Sequence, residues 1–176
     1  MAAGRDVRSE FDFVLPPELE ARRPPEARGL SRDGVRLLVS HRVKDGIVHA
    51  RFADLATALT PGDVLVVNDS ATLPAALPAT GEGGALPLHL STHLPGDLWV
   101  VEPRGPVPAE GPLRLALPAG GAARLLAPYR DSRRLWVARL DLPLPLLDYL
   151  ARWGKPIRYA YVDQDWPLAA YQTVFA

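Results

Sequence analysis

The sequence predicts a mixed α/β chain interrupted by a small antiparallel β module, and three stretches carry that prediction. Val64-Leu65-Val66-Val67 is an unbroken aliphatic run. It opens after the turn signal Pro61-Gly62 and closes on Asn68-Asp69-Ser70, the pattern of a strand buried on both faces with a polar tip. From about Leu77 the texture changes to short apolar runs, Ala85 to Leu90, Leu98 to Val101, Leu113 to Leu117, Ala122 to Leu126 and Leu135 to Leu140. Glycine- and proline-rich joints separate them, which predicts a small antiparallel barrel or sandwich over roughly residues 77–142. Pro145 to Trp153 then returns to helical spacing.

Taken in order, Met1 to Glu10 is charged and without periodicity, so it reads as a flexible leader. Phe11 to Leu15 alternates like a strand, and Pro16-Pro17-Glu18-Leu19-Glu20-Ala21 suits a short helix with proline and acid in its first turn. Val35 to His41 and Ile47 to Arg51 flank Lys44-Asp45-Gly46, an Asp-Gly connection that favours a hairpin. Phe52, Leu55, Ala56 and Leu59 recur at helical spacing, so a short helix with one buried face is expected over 52–59. Gly81-Glu82-Gly83-Gly84 lacks the lysine and the following helix of a phosphate loop and reads as a hairpin joint. Trp99 and Trp136 lie within apolar runs and are expected to pack. Leu146, Leu147, Leu150 and Trp153 form a stripe on a helix that Gly154 and Pro156 terminate.

Composition narrows the function classes. The 176 residues include no cysteine, which excludes disulfides and thiolate metal sites. The four histidines lack zinc-ligand spacing, and no metal is expected. Formal charge sums to zero, but its distribution is uneven. Between Phe52 and Gly121 seven acids face only Arg104 and Arg114, whereas Arg124, Arg130, Arg133, Arg134 and Arg139 follow against Asp131. That later segment offers either a basic face for phosphates or a solvated strand surface. No apolar run is long enough to span a bilayer, and a cytoplasmic protein is the expectation.

Phe11-Asp12-Phe13-Val14-Leu15-Pro16, followed by Pro25-Glu26-Ala27-Arg28 and Arg36-Leu37-Leu38, resembles the opening of the S-adenosylmethionine:tRNA ribosyltransferase-isomerases of queuosine biosynthesis. Leu59-Thr60-Pro61-Gly62-Asp63 running into Val64 to Asn68 is similar to the next block of that family, and Tyr171-Gln172-Thr173 to its Tyr-Gln-Thr segment. The resemblance implies a main α/β, barrel-like domain, of which this chain is the N-terminal half only, with an inserted antiparallel β-barrel domain. The expected divisions are a leader at 1–10, the first part of the main domain at 11–76, the barrel at 77–142, and the resumed main domain, truncated, at 143–176. The family's catalytic segment beginning Pro-Thr-Ala-Gly is expected to follow Ala176, and this half-chain alone is expected to be inactive.

The activity so implied moves and isomerises the ribosyl part of S-adenosylmethionine onto 7-aminomethyl-7-deazaguanine in tRNA, forming epoxyqueuosine. S-adenosylmethionine is the donor substrate and tRNA the partner. Arg28, Asn68, Asp69, Ser70, Tyr171, Gln172 and Thr173 are the expected substrate-binding residues, and no general base is assigned. Turn bonds for Asn68 and Ser70, a surface ion pair for Arg28 and simple packing for Tyr171 are the structural alternatives. The sequence also departs from the family pattern. Asp69-Ser70-Ala71 and Pro74-Ala75-Ala76 stand where Asn-Thr-Arg and Pro-Ala-Arg are usual, so arginines are absent at positions 71 and 76. Alanine cannot replace a planar guanidinium on a phosphate or carboxylate. Two other readings therefore stand beside the first: a divergent relative acting on another substrate, and a non-catalytic module that holds RNA or a protein through Arg124, Arg130, Arg133 and Arg134.

Overall fold

The computed structural model describes residues 12–105, 113–159 and 161–172. The chain divides into two compact units, one formed by residues 1–63 with 160–163, the other by 64–159 with 164–176.

In the first unit, β1 (Arg36–His41) and β2 (Gly46–Arg51) pair antiparallel from Arg36↔Arg51 to His41↔Gly46. The Asp-Gly connection forms the expected hairpin, with Asp45 at φ 46°. The helix expected at 52–59 is instead a 3-10 segment, Phe52–Ala58. The Asp54 carboxylate accepts the Arg51 N–H at its start, and the Arg51 guanidinium donates to the Gly34 carbonyl. None of the described residues of this unit is buried. With Phe52 and Leu55 only half-buried, that single stripe is too little to hold a full α-helix. The strand expected at 11–15 is not formed at Asp12 to Leu15, where Val14 is 91% exposed; Phe11 lies outside the described residues.

The second unit is organised by a closed antiparallel barrel. Its strands are β3 (Ala76–Gly81), β4 (Gly84–Leu94), β5 (Leu98–Pro103), β6 (Leu113–Ala116), β7 (Ala122–Pro128) and β8 (Trp136–Asp141). They run β3-β4-β5-β8-β7-β6, and Thr80↔Ala116 closes the ring. Alternation decides which side chains fill it. Leu77 and Ala79 on β3, Leu86, Leu88 and Leu90 on β4, and Leu115, Leu125 and Ala138 across the ring are buried, while the residues between them face out. Bulges between Leu90 and Thr92 and between Leu125 and Ala127 bend β4 and β7. The first also shifts the alternation between His89 and His93, which are four residues apart on β4.

Helix α1 (Leu146–Trp153) packs on the barrel through Tyr149 and Leu150, both fully buried. The predicted stripe holds at Leu146, Leu150 and Trp153, but Leu147 is 63% exposed and Tyr149 lies inward in its stead. The Tyr149 hydroxyl donates to the Pro118 carbonyl at 2.6 Å. That bond lets a phenol sit in a core that otherwise has only apolar neighbours for it.

The largest departure is at Val64 to Val67. The run forms no strand and no ladder among the described residues, and Val64 and Val66 are each 88% exposed. Aliphatic β-branching sets the local preference for extended backbone, but only a second strand offering N–H and C=O groups makes a ladder. No described residue supplies one.

After α1 the chain returns to β3 through reciprocal backbone bonds between Ala76 and Lys155, of 2.9 and 2.8 Å. Gly154 makes this approach possible. A Cβ there would collide with the Pro74 carbonyl and stand 2.6 Å from the Leu150 oxygen, both fixed backbone atoms. Gly154→Ala is therefore expected to lower stability by roughly 1–3 kcal/mol, the usual cost of overpacking. A urea midpoint shifted down at unchanged slope would show it, and an unmoved midpoint would contradict the close approach.

Candidate functional site

The Ala76–Lys155 junction forms one wall of a groove of about 660 Å³ on the outer face of the β3-β4 hairpin. Outward-facing Ala76, Pro78, Ala85 and Pro87 give it an apolar floor, with His89 at one edge. The returning chain supplies the opposite side through Lys155, Pro156 and Arg158, then Asp165, Trp166 and Tyr171. Arg158 Nε lies 3.2 Å from the Asp165 carboxylate, so the two segments of that wall are tied to each other. The Trp166 indole Nε1 is buried and has no hydrogen-bond partner among the described residues. A buried donor without an acceptor is costly and suits a site completed by a ligand.

His89 and Glu102 are direct cross-strand partners on β4 and β5. Burial pushes the His89 imidazole below its ordinary value; Glu102 pulls the other way and Arg104 adds to the depression. At neutral pH it is therefore uncharged, one nitrogen donating and the other accepting. Burial works to raise the Glu102 carboxyl, but hydrogen bonds and charge from Arg104 and Arg134 outweigh it and hold the group below the usual glutamate range. Arg104 Nη1 and Arg134 Nε reach Glu102 Oε1 at 2.8 and 2.9 Å. Together with Arg133 they line a second, smaller hollow of about 270 Å³. Arg104 borders both hollows.

The depressed His89 value has a consequence for stability. The unfolded chain takes up a proton near pH 6.5, which the folded environment resists. Stability is thus whole above that value and falls as pH drops toward the lower folded one. His89→Gln is expected to flatten this decline between about pH 7 and pH 5. Thermal midpoints measured across that window test it, and parallel curves for the two proteins would refute it. Glu102 acts in a separate, more acidic window, since its contribution is lost only as pH falls below the ordinary 4.5.

The residues singled out from the sequence are distributed unevenly. Asn68 Oδ1 accepts the Ser70 N–H at 3.0 Å, a two-residue Asx turn. Gln172, distant in sequence, reaches this stretch: its Oε1 accepts the Thr72 N–H at 2.8 Å and its Nε2 donates to the Ser70 carbonyl at 3.3 Å. Thr72 Oγ1 bonds the Tyr171 carbonyl, and the Tyr171 side chain lines the groove. Ser70, Tyr171 and Gln172 are thus brought together, whereas Asn68 and Asp69 are exposed and do not line the groove. Arg28 is an exposed residue of the first unit, and Thr173 lies outside the described residues. Sequence reading missed His89, Arg104, Lys155, Arg158 and Trp166 as groove residues. Arg104 meets the groove because its N–H bonds the Pro87 carbonyl, and Lys155 because it bridges to Ala76. Neither pairing has a local sequence signal.

Fold and groove together define a β-barrel protein whose outer face carries an apolar, aromatic-edged cleft with a cationic rim. The chain belongs to the family described as queuosine biosynthesis protein, whose model matches residues 8–176. Among its curated relatives, the S-adenosylmethionine:tRNA ribosyltransferase-isomerase of Thermotoga maritima is 34% identical over 170 residues, covering 96% of this chain and 48% of the relative. The enzyme of the same name from Moorella thermoacetica is 38% identical over 152 residues, covering 77% and 43%. The chain thus spans about half the length of the curated relatives it matches. A crystal structure of S-adenosylmethionine tRNA ribosyltransferase from Thermotoga maritima is 32% identical, covering 74% of this chain and 44% of its own, with a TM-score of 0.36.

Proposed function

We propose that this chain takes part in transfer and isomerisation of the ribosyl moiety of S-adenosylmethionine onto 7-aminomethyl-7-deazaguanine in tRNA. The family match over residues 8–176 is the observation that carries this reading. In the same reading, the barrel is an insertion within a larger α/β domain to which residues 11–76 and 143–176 contribute.

The groove is assigned to the accepting nucleotide. Its floor and the Trp166 ring suit the flat face of a base, the neutral His89 suits its polar edge, and Lys155 and Arg104 suit a phosphate. S-adenosylmethionine carries a sulfonium and an ammonium. With Arg104 held by Glu102 and Arg158 by Asp165, Lys155 is the rim cation that no ion pair matches among the described residues, and it disfavours that ligand there. Tyr171 walls the groove, while Gln172 positions it by holding the Ser70 to Thr72 backbone. Asn68, Asp69 and Ser70 remain proposed substrate contacts beside the groove lining, and Arg28 and Thr173 remain proposed substrate contacts.

A chimera tests the activity. This chain would replace the corresponding stretch of the Thermotoga maritima relative, and label would be followed from ribosyl-labelled S-adenosylmethionine into tRNA bearing the deazaguanine. Transfer above the background of a chimera lacking the stretch is expected. A folded chimera that transfers nothing would contradict the proposal. A second reading, a divergent substrate, is favoured by one observation: Ala76, standing where the family pattern has arginine, lines the groove. Under that reading only the Ala76→Arg chimera would label this tRNA.

A further inference from the structure

The register of the barrel places three arginines side by side. Arg114 on β6 stands directly opposite Arg124 on β7, and Arg124 stands directly opposite Arg139 on β8. Their strand neighbours Leu115, Ala123, Leu125 and Ala138 are inside the barrel, so the three guanidiniums leave from the outer face, and all three residues are exposed. At the ordinary strand spacing the row covers about 10 Å. The one ion pair it makes among the described residues is Arg124 with Asp141, at 3.9 Å and with both side chains largely exposed. Like charges set directly opposite one another on a sheet oppose the pairing that brings them together. A sequence that keeps such a conflict on a rigid face gives up local consistency, and function is the usual reason.

We infer that the Arg114, Arg124 and Arg139 row is a docking surface for the phosphate backbone of RNA. Guanidinium forks donate to phosphate oxygens two at a time, and a row fixed on barrel strands presents them at set intervals. Such contacts position a nucleic acid without reading its sequence. The choice of RNA over an acidic peptide rests on the function proposed above. The row shares only Arg124 with the four arginines singled out in the sequence. Of the other three, Arg134 is engaged with Glu102, Arg130 lies 5.2 Å from the Tyr129 ring and Arg133 lines the smaller hollow.

The test uses the chain as it stands, a fluorescent unmodified tRNA transcript and a series of salt concentrations. Changing all three arginines to glutamine (R114Q, R124Q and R139Q together) is expected to weaken binding at low salt by about tenfold or more. It should also reduce the slope of log affinity against log salt by about two to three, near one per lost phosphate contact. The thermal midpoint of the triple variant should hold or rise, because the repulsion is gone. A slope equal to that of the parent would overturn the inference. So would a parent that binds no RNA, or one that prefers a polyglutamate peptide. Loss of slope in the triple variant together with a chimera that transfers no ribosyl group supports this surface while counting against the proposed activity.

Discussion

Tyr149→Ala is expected to bring the barrel unit close to unfolding. The ring is fully buried, stacks against Trp153 at a centroid distance of 4.5 Å, and reaches the Pro118 carbonyl at 2.6 Å. Removing a buried aromatic leaves its transfer energy and a cavity to be made up, together about 3–5 kcal/mol. Whole domains are stable by only about 5–15 kcal/mol. Chemical denaturation of both variants separates the parts. Tyr149→Phe keeps the ring and loses only the donor to Pro118, so it should cost about 1 kcal/mol. If Phe proves as damaging as Ala, the hydrogen bond rather than the packing holds the cap. Burial also raises the phenol above its ordinary 10.0. The unfolded chain then ionises first as pH rises, so stability is whole below about pH 10 and is lost above it. Tyr149→Phe should remove that alkaline loss.

Trp166→Ala is expected to weaken nucleotide binding in the groove by about ten- to a hundredfold, the worth of one base stacked on an aromatic ring. The measurement is calorimetric titration with a tRNA fragment carrying the deazaguanine. Trp166→Phe should fall between, because it keeps a stacking face but leaves the ligand's acceptor without the indole N–H. A fold check belongs with it, since Trp166 lies on the wall tied by Arg158 and Asp165. Equal affinity in a folded Ala variant would remove Trp166 from the site.

The barrel was legible in the sequence because each strand carries its own signal. Leu86, Leu88 and Leu90 alternate with Pro87 and His89, and glycine-rich joints such as Gly81 to Gly84 mark the turns. The run Val64 to Val67 misled for the same local reason. Its composition favours extended backbone and says nothing about a partner. The groove was hardly legible, since it depends on which distant backbones touch: Ala76 with Lys155, and Pro87 with Arg104. Gln172 is intermediate. Its resemblance-based selection pointed at the residue, while its role as a clamp on Ser70 and Thr72 needed coordinates. The arginine row lay in plain sight as Arg114, Arg124 and Arg139, but the β6-β7 and β7-β8 registers decide that these residues are neighbours.

Photocrosslinking addresses the central claim, that the groove on the β3-β4 face holds the accepting nucleotide of tRNA. A photoreactive base at that nucleotide, bound to the protein and irradiated, should attach to the peptides containing Trp166 and Tyr171 or His89. Attachment confined to other surfaces, with those peptides unlabelled, would contradict it.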